Sequence, residues 1–198
     1  PWENCQTNRL DHRHLFNPCT ALARVLEKMI TFDQAFDRLI SHEGGYSDDP
    51  RDSGNWTGGA PGTGQLKGTK FGIAASSYSY LDIKNLSLEE AKAIYRRDFW
   101  DVCEAAHPAI RFQLFDASVN HGRSNAIRFL QRAVKVADDG EWGVISQAAL
   151  NRMDPNDVLL RFLAYRLKFW ASLQKFDIYG RGWTNRGAEN LLYAAEDN

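Results

Sequence analysis

The 198 residues, 43% hydrophobic, 12% aromatic and 25% charged, suffice for one domain with a real core, with or without a small appendage, and exclude wholesale disorder. Twenty-four Lys+Arg against 25 Asp+Glu give a formal net charge of -1, which argues against a dedicated nucleic-acid binder. No apolar run approaches the ~20 residues that cross a bilayer, so no stable membrane insertion is expected.

Residues 1–28 are polar and aperiodic up to Ala21 and read as an N-terminal extension that catalysis does not need. Asp11, His12, Arg13 and His14 stand where a secretory signal needs its apolar core, which predicts synthesis in the cytoplasm without a signal peptide. Cys5, His12, His14 and Cys19 fit the spacing of no common zinc module, and Cys103 adds no disulfide framework, so no metal is expected.

From Thr31 the pattern is helical. Thr31-Phe-Asp-Gln34 has capping-box form, Phe32, Phe36, Leu39 and Ile40 share one face, and Gly44-Gly45 stops the helix just after Glu43. Glycines and prolines between Tyr46 and Gly72 break helical structure and predict short strands or a hairpin. Ser87-Leu-Glu-Glu90 is a second capping box, opening a helix to about Cys103. Ala109–His121 is apolar enough for a central helix. Ser124 is placed to cap Ala126–Val136, and Asp154-Pro155 starts a long helix to about Gln174 with Leu159, Leu160, Leu163, Leu167 and Trp170 as its apolar stripe. A last helix is expected near Gly187–Ala195. The predicted fold is mainly α and two-lobed, with a small β-containing insertion after the first helix.

Glu43 is the first candidate for chemistry. A carboxylate at a helix C-terminus faces the negative end of the macrodipole, and apolar neighbours reduce its solvation. Both effects raise a pKa, as a general acid near neutrality requires. Asp52 lies nine positions on, across a turn that can bring two carboxyl groups to one cleft, the arrangement glycosidases commonly use. Taken alone, Glu43 reads first as a solvated surface acid, and the Asp52 spacing is a weak signal that an Asx-turn also explains.

His42-Glu-Gly-Gly-Tyr46, Asp49-Pro-Arg-Asp52 and Gly68-Thr-Lys-Phe-Gly-Ile73 together resemble glycoside hydrolase family 108, a lysozyme-like family of N-acetylmuramidases found in phage endolysins and bacterial muramidases. Phe115-Asp-Ala-Ser-Val-Asn-His-Gly122 is similar to the family's central helix. Leu130-Gln-Arg-Ala-Val134, Asp139-Gly140, Trp142-Gly143 and Ala148-Ala-Leu150 resemble its C-terminal, peptidoglycan-binding segment, and Gly182-Trp-Thr-Asn-Arg186 its closing motif. Ser-Gly-Asn-Trp after Asp52 departs from the family's Pro-Gly-Gly, and Thr57–Lys67 reads as an insertion. Thr57 occupies the ungapped position of the family's threonine, whereas Thr69 has the right neighbours in Lys70-Phe71-Gly72-Ile73; Thr69 is preferred.

The resemblance implies a catalytic region over 29–122 and a helical C-terminal region over 123–198 packed into the same unit. It implies Glu43 as catalytic acid, Asp52 and Thr69 as residues that handle water, and no cofactor. Tyr46, Asn120, Trp183 and Arg186 become candidate substrate contacts. Asn120 reads equally as an ordinary helix-terminal residue, and Trp183 and Arg186 as packing against the first helix. The implied partner is bacterial peptidoglycan, bound by a monomer that reaches the wall through membrane holes. A lytic transglycosylase and a non-catalytic wall-binding protein are the rival readings.

Overall fold

The computed structural model describes residues 30–40, 45–101 and 107–197. Helix α1 (Phe32–Ile40) begins at the predicted box: Gln34 N donates to Thr31 Oγ1 at 3.2 Å and Thr31 N to Gln34 Oε1 at 2.9 Å. Its Phe32, Phe36 and Leu39 are buried. A 3-10 turn (Ser53–Asn55) and an antiparallel pair, β1 (Thr69–Lys70) and β2 (Ile73–Ala74), follow in register Thr69 to Ala74 and Lys70 to Ile73. Helix α2 (Leu88–Tyr95) opens on the second capping box and widens into a π-helical segment, Arg96–Trp100.

Helix α3 (Pro108–His121) is the centre of the molecule. At 100° per residue, Phe112, Phe115 and Val119 lie on one side, and Ile110, Leu114 and Ala117 on the other. The first set joins a core built from α1, β2, α2 and Trp100. The second joins a core built from α4 (Arg123–Ala133), α5 (Val144–Leu150) and α6 (Pro155–Ala171). One helix buried on both faces thus carries two lobes. Helix α7 (Phe176–Glu196) packs on α6 and returns to α1, where Arg38 Nη1 meets Asp197 Oδ2 at 2.6 Å.

Three sequence expectations are corrected here. Ser124 lies inside the first turn of α4, whose N-cap is Gly122. The last helix starts at Phe176 and takes in three glycines. On α6, Leu159, Leu163 and Trp170 are buried, but Leu160 is 61% exposed and Leu167 40% exposed, so the apolar stripe is wider than the core it serves.

Candidate active site

Of the sequence candidates, Tyr46, Asp52 and Thr69 lie around the end of α1 and the β1–β2 hairpin. The chain leaves α1 at Ile40 and is described again from Gly45; Glu43 lies outside the described residues. Beyond it, Ser47 pairs with Thr69 in an isolated antiparallel bridge. Half-buried Tyr46 packs on the α1 core, and burial, followed by the nearby Asp48 carboxylate, pushes its phenol pKa up. Gly68, at φ +82, is required there: a Cβ on it would stand 2.6 Å from both the Ser47 carbonyl oxygen and the Tyr46 ring. The hairpin turn, Phe71-Gly72, lies against Ile40 of α1, and Tyr95 Oη donates to the Phe71 carbonyl at 3.1 Å. These contacts hold Thr69 on a hairpin docked on the C-terminal end of α1, three residues before Glu43.

Asp52 approaches the same sheet from the other loop. It caps the 3-10 turn, its Oδ1 accepting from Gly54 N at 2.9 Å, and the residue is exposed. Gly54 rests against the Ala74 side chain, and its carbonyl accepts from Ser76 N, so the loop is tied to the strand that pairs with Thr69. Asp49, held by the Arg51 guanidinium and backbone, is depressed to about 2. Thr57 has another task. Its Oγ1 accepts from Gln65 N at 2.9 Å and closes the neck of the 57–65 hairpin beside the Trp56–Leu66 bridge.

The remaining candidates sit on α3 and α7 around a buried acid. Asp116 Oδ2 accepts from Arg166 Nη2 at 2.6 Å, and Oδ1 accepts from Arg186 Nη2 at 2.6 Å. Burial alone would raise the Asp116 pKa, but the two guanidinium charges outweigh it and hold the carboxyl below its ordinary value. His121, whose Nε2 faces Arg166 Nε at 3.4 Å, is driven down to about 4 by burial and by the Arg166 charge. Asn120 Nδ2 donates to the Asp116 carbonyl at 2.7 Å. Trp183 is half-buried against Phe176 and Tyr179 of its own helix. Arg186 therefore spends its hydrogen bonds on α3 rather than on α1. Tyr95, which holds the hairpin turn, also packs edge-on against Phe115 of α3, the residue before Asp116, at 6.4 Å.

Residues 36–122 match the profile of the family described as Glycosyl hydrolase 108. This segment is similar to glycosyl hydrolase 108. The match spans 87 of the 198 residues. A solved structure of Brucella abortus SagA is similar at 26% identity and a TM-score of 0.69, covering 83% of this chain and 93% of that one. No curated protein matches the chain. The fold is mainly α and lysozyme-like, with the small β-containing insertion that the sequence predicts. Among the described residues no group of three or more His, Cys, Asp or Glu is gathered to hold a metal, and no helix is long and apolar enough to cross a membrane. The Cys5, His12, His14 and Cys19 set lies outside the described residues, as does Cys103.

Sequence reasoning passed over Asp116 and Arg166. Arg166 lies outside the apolar stripe predicted for its helix, yet it is 1% exposed. The available signal was Asp116 itself: an acid between Phe115 and Ala117 on an all-round apolar helix must be paired or protonated.

Proposed function

We propose that the chain is an N-acetylmuramidase that hydrolyses the β-1,4 bond between N-acetylmuramic acid and N-acetylglucosamine in peptidoglycan. The observation that carries this reading is the docking of the Thr69 hairpin, with Tyr46 beside it, on the end of α1 that leads into Glu43. Glu43 protonates the glycosidic oxygen, and the C1–O bond breaks with an oxocarbenium-like transition state. The Thr69 hydroxyl orients the attacking water and the Asp52 carboxylate takes its proton; Asp52 then gives that proton to solvent and Glu43 takes one up, which restores the acid for the next turnover. Tyr46 shapes the sugar site, while Asn120, Trp183 and Arg186 flank the glycan from α3 and α7. Proton transfer and a positioned water suffice, so the proposed reaction needs no cofactor or metal.

The catalytic region, 29–122, and the helical region, 123–198, act as one unit in this reading, because α3 belongs to both cores. The setting we infer is a monomeric phage endolysin that reaches the wall once the membrane has been breached and lyses the host. Product analysis after digestion of purified sacculi tests the chemistry. Reducing N-acetylmuramic acid ends are expected. 1,6-Anhydro ends would make the chain a lytic transglycosylase, and binding to sacculi without cleavage would make it a wall-binding protein.

A further inference from the structure

A cavity of about 380 Å³ opens beside Tyr46, with Leu66, Lys67, Tyr80, Asp82 and Lys84 on its walls and fully buried Ile83 at its floor. That is within the range of small-molecule sites. Its two walls are fastened to each other. Lys67 Nζ donates to the Ser79 carbonyl at 2.6 Å, and Lys70 Nζ to the Lys84 carbonyl at 3.1 Å. Leu66 is placed by its bridge to Trp56, and the Lys67 backbone N–H by the Asn55 carbonyl at 3.0 Å.

Tyr80 is the informative residue. Its side chain is 69% exposed, yet it is not loose. The ring meets Tyr78 edge-on at 6.4 Å, and the phenol lies close to the Arg97 guanidinium. Arg97 is in turn held by Asp98, to which Tyr78 Oη donates at 2.9 Å. An aromatic face kept in water by a polar network gains nothing from burial in the free protein. It is already ordered for a ligand that stacks, so little side-chain entropy is lost on binding. Asp82 stays ionised, held low by Asn85, and can accept hydrogen bonds from hydroxyl groups. Lys84 supplies a cation for a carboxylate. An apolar stacking face, a hydroxyl acceptor and a cation together match an amphipathic sugar that carries an acid substituent.

We propose that this cavity is a saccharide subsite adjoining the cleavage point, which takes one N-acetylhexosamine ring of the glycan strand against Tyr80. The proposal rests on the muramidase reading for its place in the reaction, but its binding chemistry can be tested separately. The probes are N-acetylglucosamine oligomers of three to six units, titrated by calorimetry into the full chain, and solubilised glycan strands as substrate. Tyr80→Ala should weaken the longest bound oligomer about tenfold, the worth of one stacking contact. It should also raise KM on glycan strands by a similar factor with kcat within about twofold. Tyr80→Phe keeps the ring and should stay near wild type in both. Asp82→Asn should weaken the oligomer less than Tyr80→Ala. Equal oligomer affinity and KM for Tyr80→Ala and wild type would overturn the subsite, whatever the enzyme does to the wall. Loss of oligomer affinity in a protein that cleaves nothing would instead keep the subsite and overturn the muramidase reading.

Discussion

Ser47 and Thr69 exchange both of their backbone hydrogen bonds, Ser47 N to the Thr69 carbonyl at 2.9 Å and Thr69 N to the Ser47 carbonyl at 2.8 Å. A closed pair of this kind fixes register, and a slip by one residue would turn Thr69 to the opposite face. Thr69 is thereby held one residue from Tyr46 and four from Glu43 across the bridge, counted from Ser47.

The two threonines are expected to separate by role. Thr57→Val removes the acceptor for Gln65 N and should cost about 1 kcal/mol of stability while retaining peptidoglycan clearing. Thr69→Val should leave stability nearly unchanged and reduce clearing. Urea denaturation and turbidity assays on both variants check this; a larger activity loss for Thr57→Val would reverse the assignment.

Gly68→Ala tests the junction beside Tyr46. The position has φ +82, and a Cβ would meet the Ser47 carbonyl oxygen and the Tyr46 ring at 2.6 Å. The variant should lose more than about 1 kcal/mol and most of its activity, because relieving the clash displaces both residues. A stable, fully active Gly68→Ala protein would show that this junction does not shape the site.

Asp52 has a structural duty that can be separated from its proposed catalytic one. Asp52→Asn retains an oxygen to accept from Gly54 N, whereas Asp52→Ala loses it. The alanine variant should be destabilised by about 1 kcal/mol and the asparagine variant hardly at all, while both lose activity to a similar degree. Activity that tracks stability, with Asp52→Asn like wild type, would reduce Asp52 to a cap.

Local features were the legible part of the fold. Both capping boxes lie within four consecutive residues and form as read. The glycines of α7 were misleading because close approach looks like breakage in a sequence. A Cβ at Gly187 would stand 2.8 Å from Leu167 and 3.3 Å from Trp170, so this glycine lets two helices touch. In the site, Thr69 and Tyr46 could be named from their neighbours in sequence. The Asp116, Arg166 and Arg186 cluster could not, since its members lie 50 and 70 positions apart. Part of the resemblance is likewise structural: Gln131 of the C-terminal motif accepts from Gly140 N and donates to Asp139, fastening that loop.

The same cluster predicts an acid response. Folded His121 has its pKa driven down to about 4 from 6.5, so between these values the unfolded chain binds a proton that the folded one does not. Stability should fall as pH is lowered through that window, by on the order of 3 kcal/mol at pH 4. Asp116 adds a second loss at lower pH: its depressed folded pKa gives stability present above 3.8 that disappears as pH falls through the folded value. Urea midpoints at pH 7 and pH 4.5 should differ for wild type and much less for His121→Phe, whose ring suits the Phe129, Phe169 and Trp170 surroundings. An unchanged pH dependence in that variant would contradict the assignment to His121.

The central claim is that Glu43 delivers the proton. Glu43→Gln keeps nearly the same volume and hydrogen-bonding capacity but carries no acidic proton. Clearing of a peptidoglycan suspension by wild type and by Glu43→Gln, at equal concentrations of folded protein, is the direct measurement. The account predicts clearing by wild type and a fall of at least ~100-fold in the variant, with thermal unfolding unchanged or slightly raised. A Glu43→Gln protein that clears at close to the wild-type rate would contradict it.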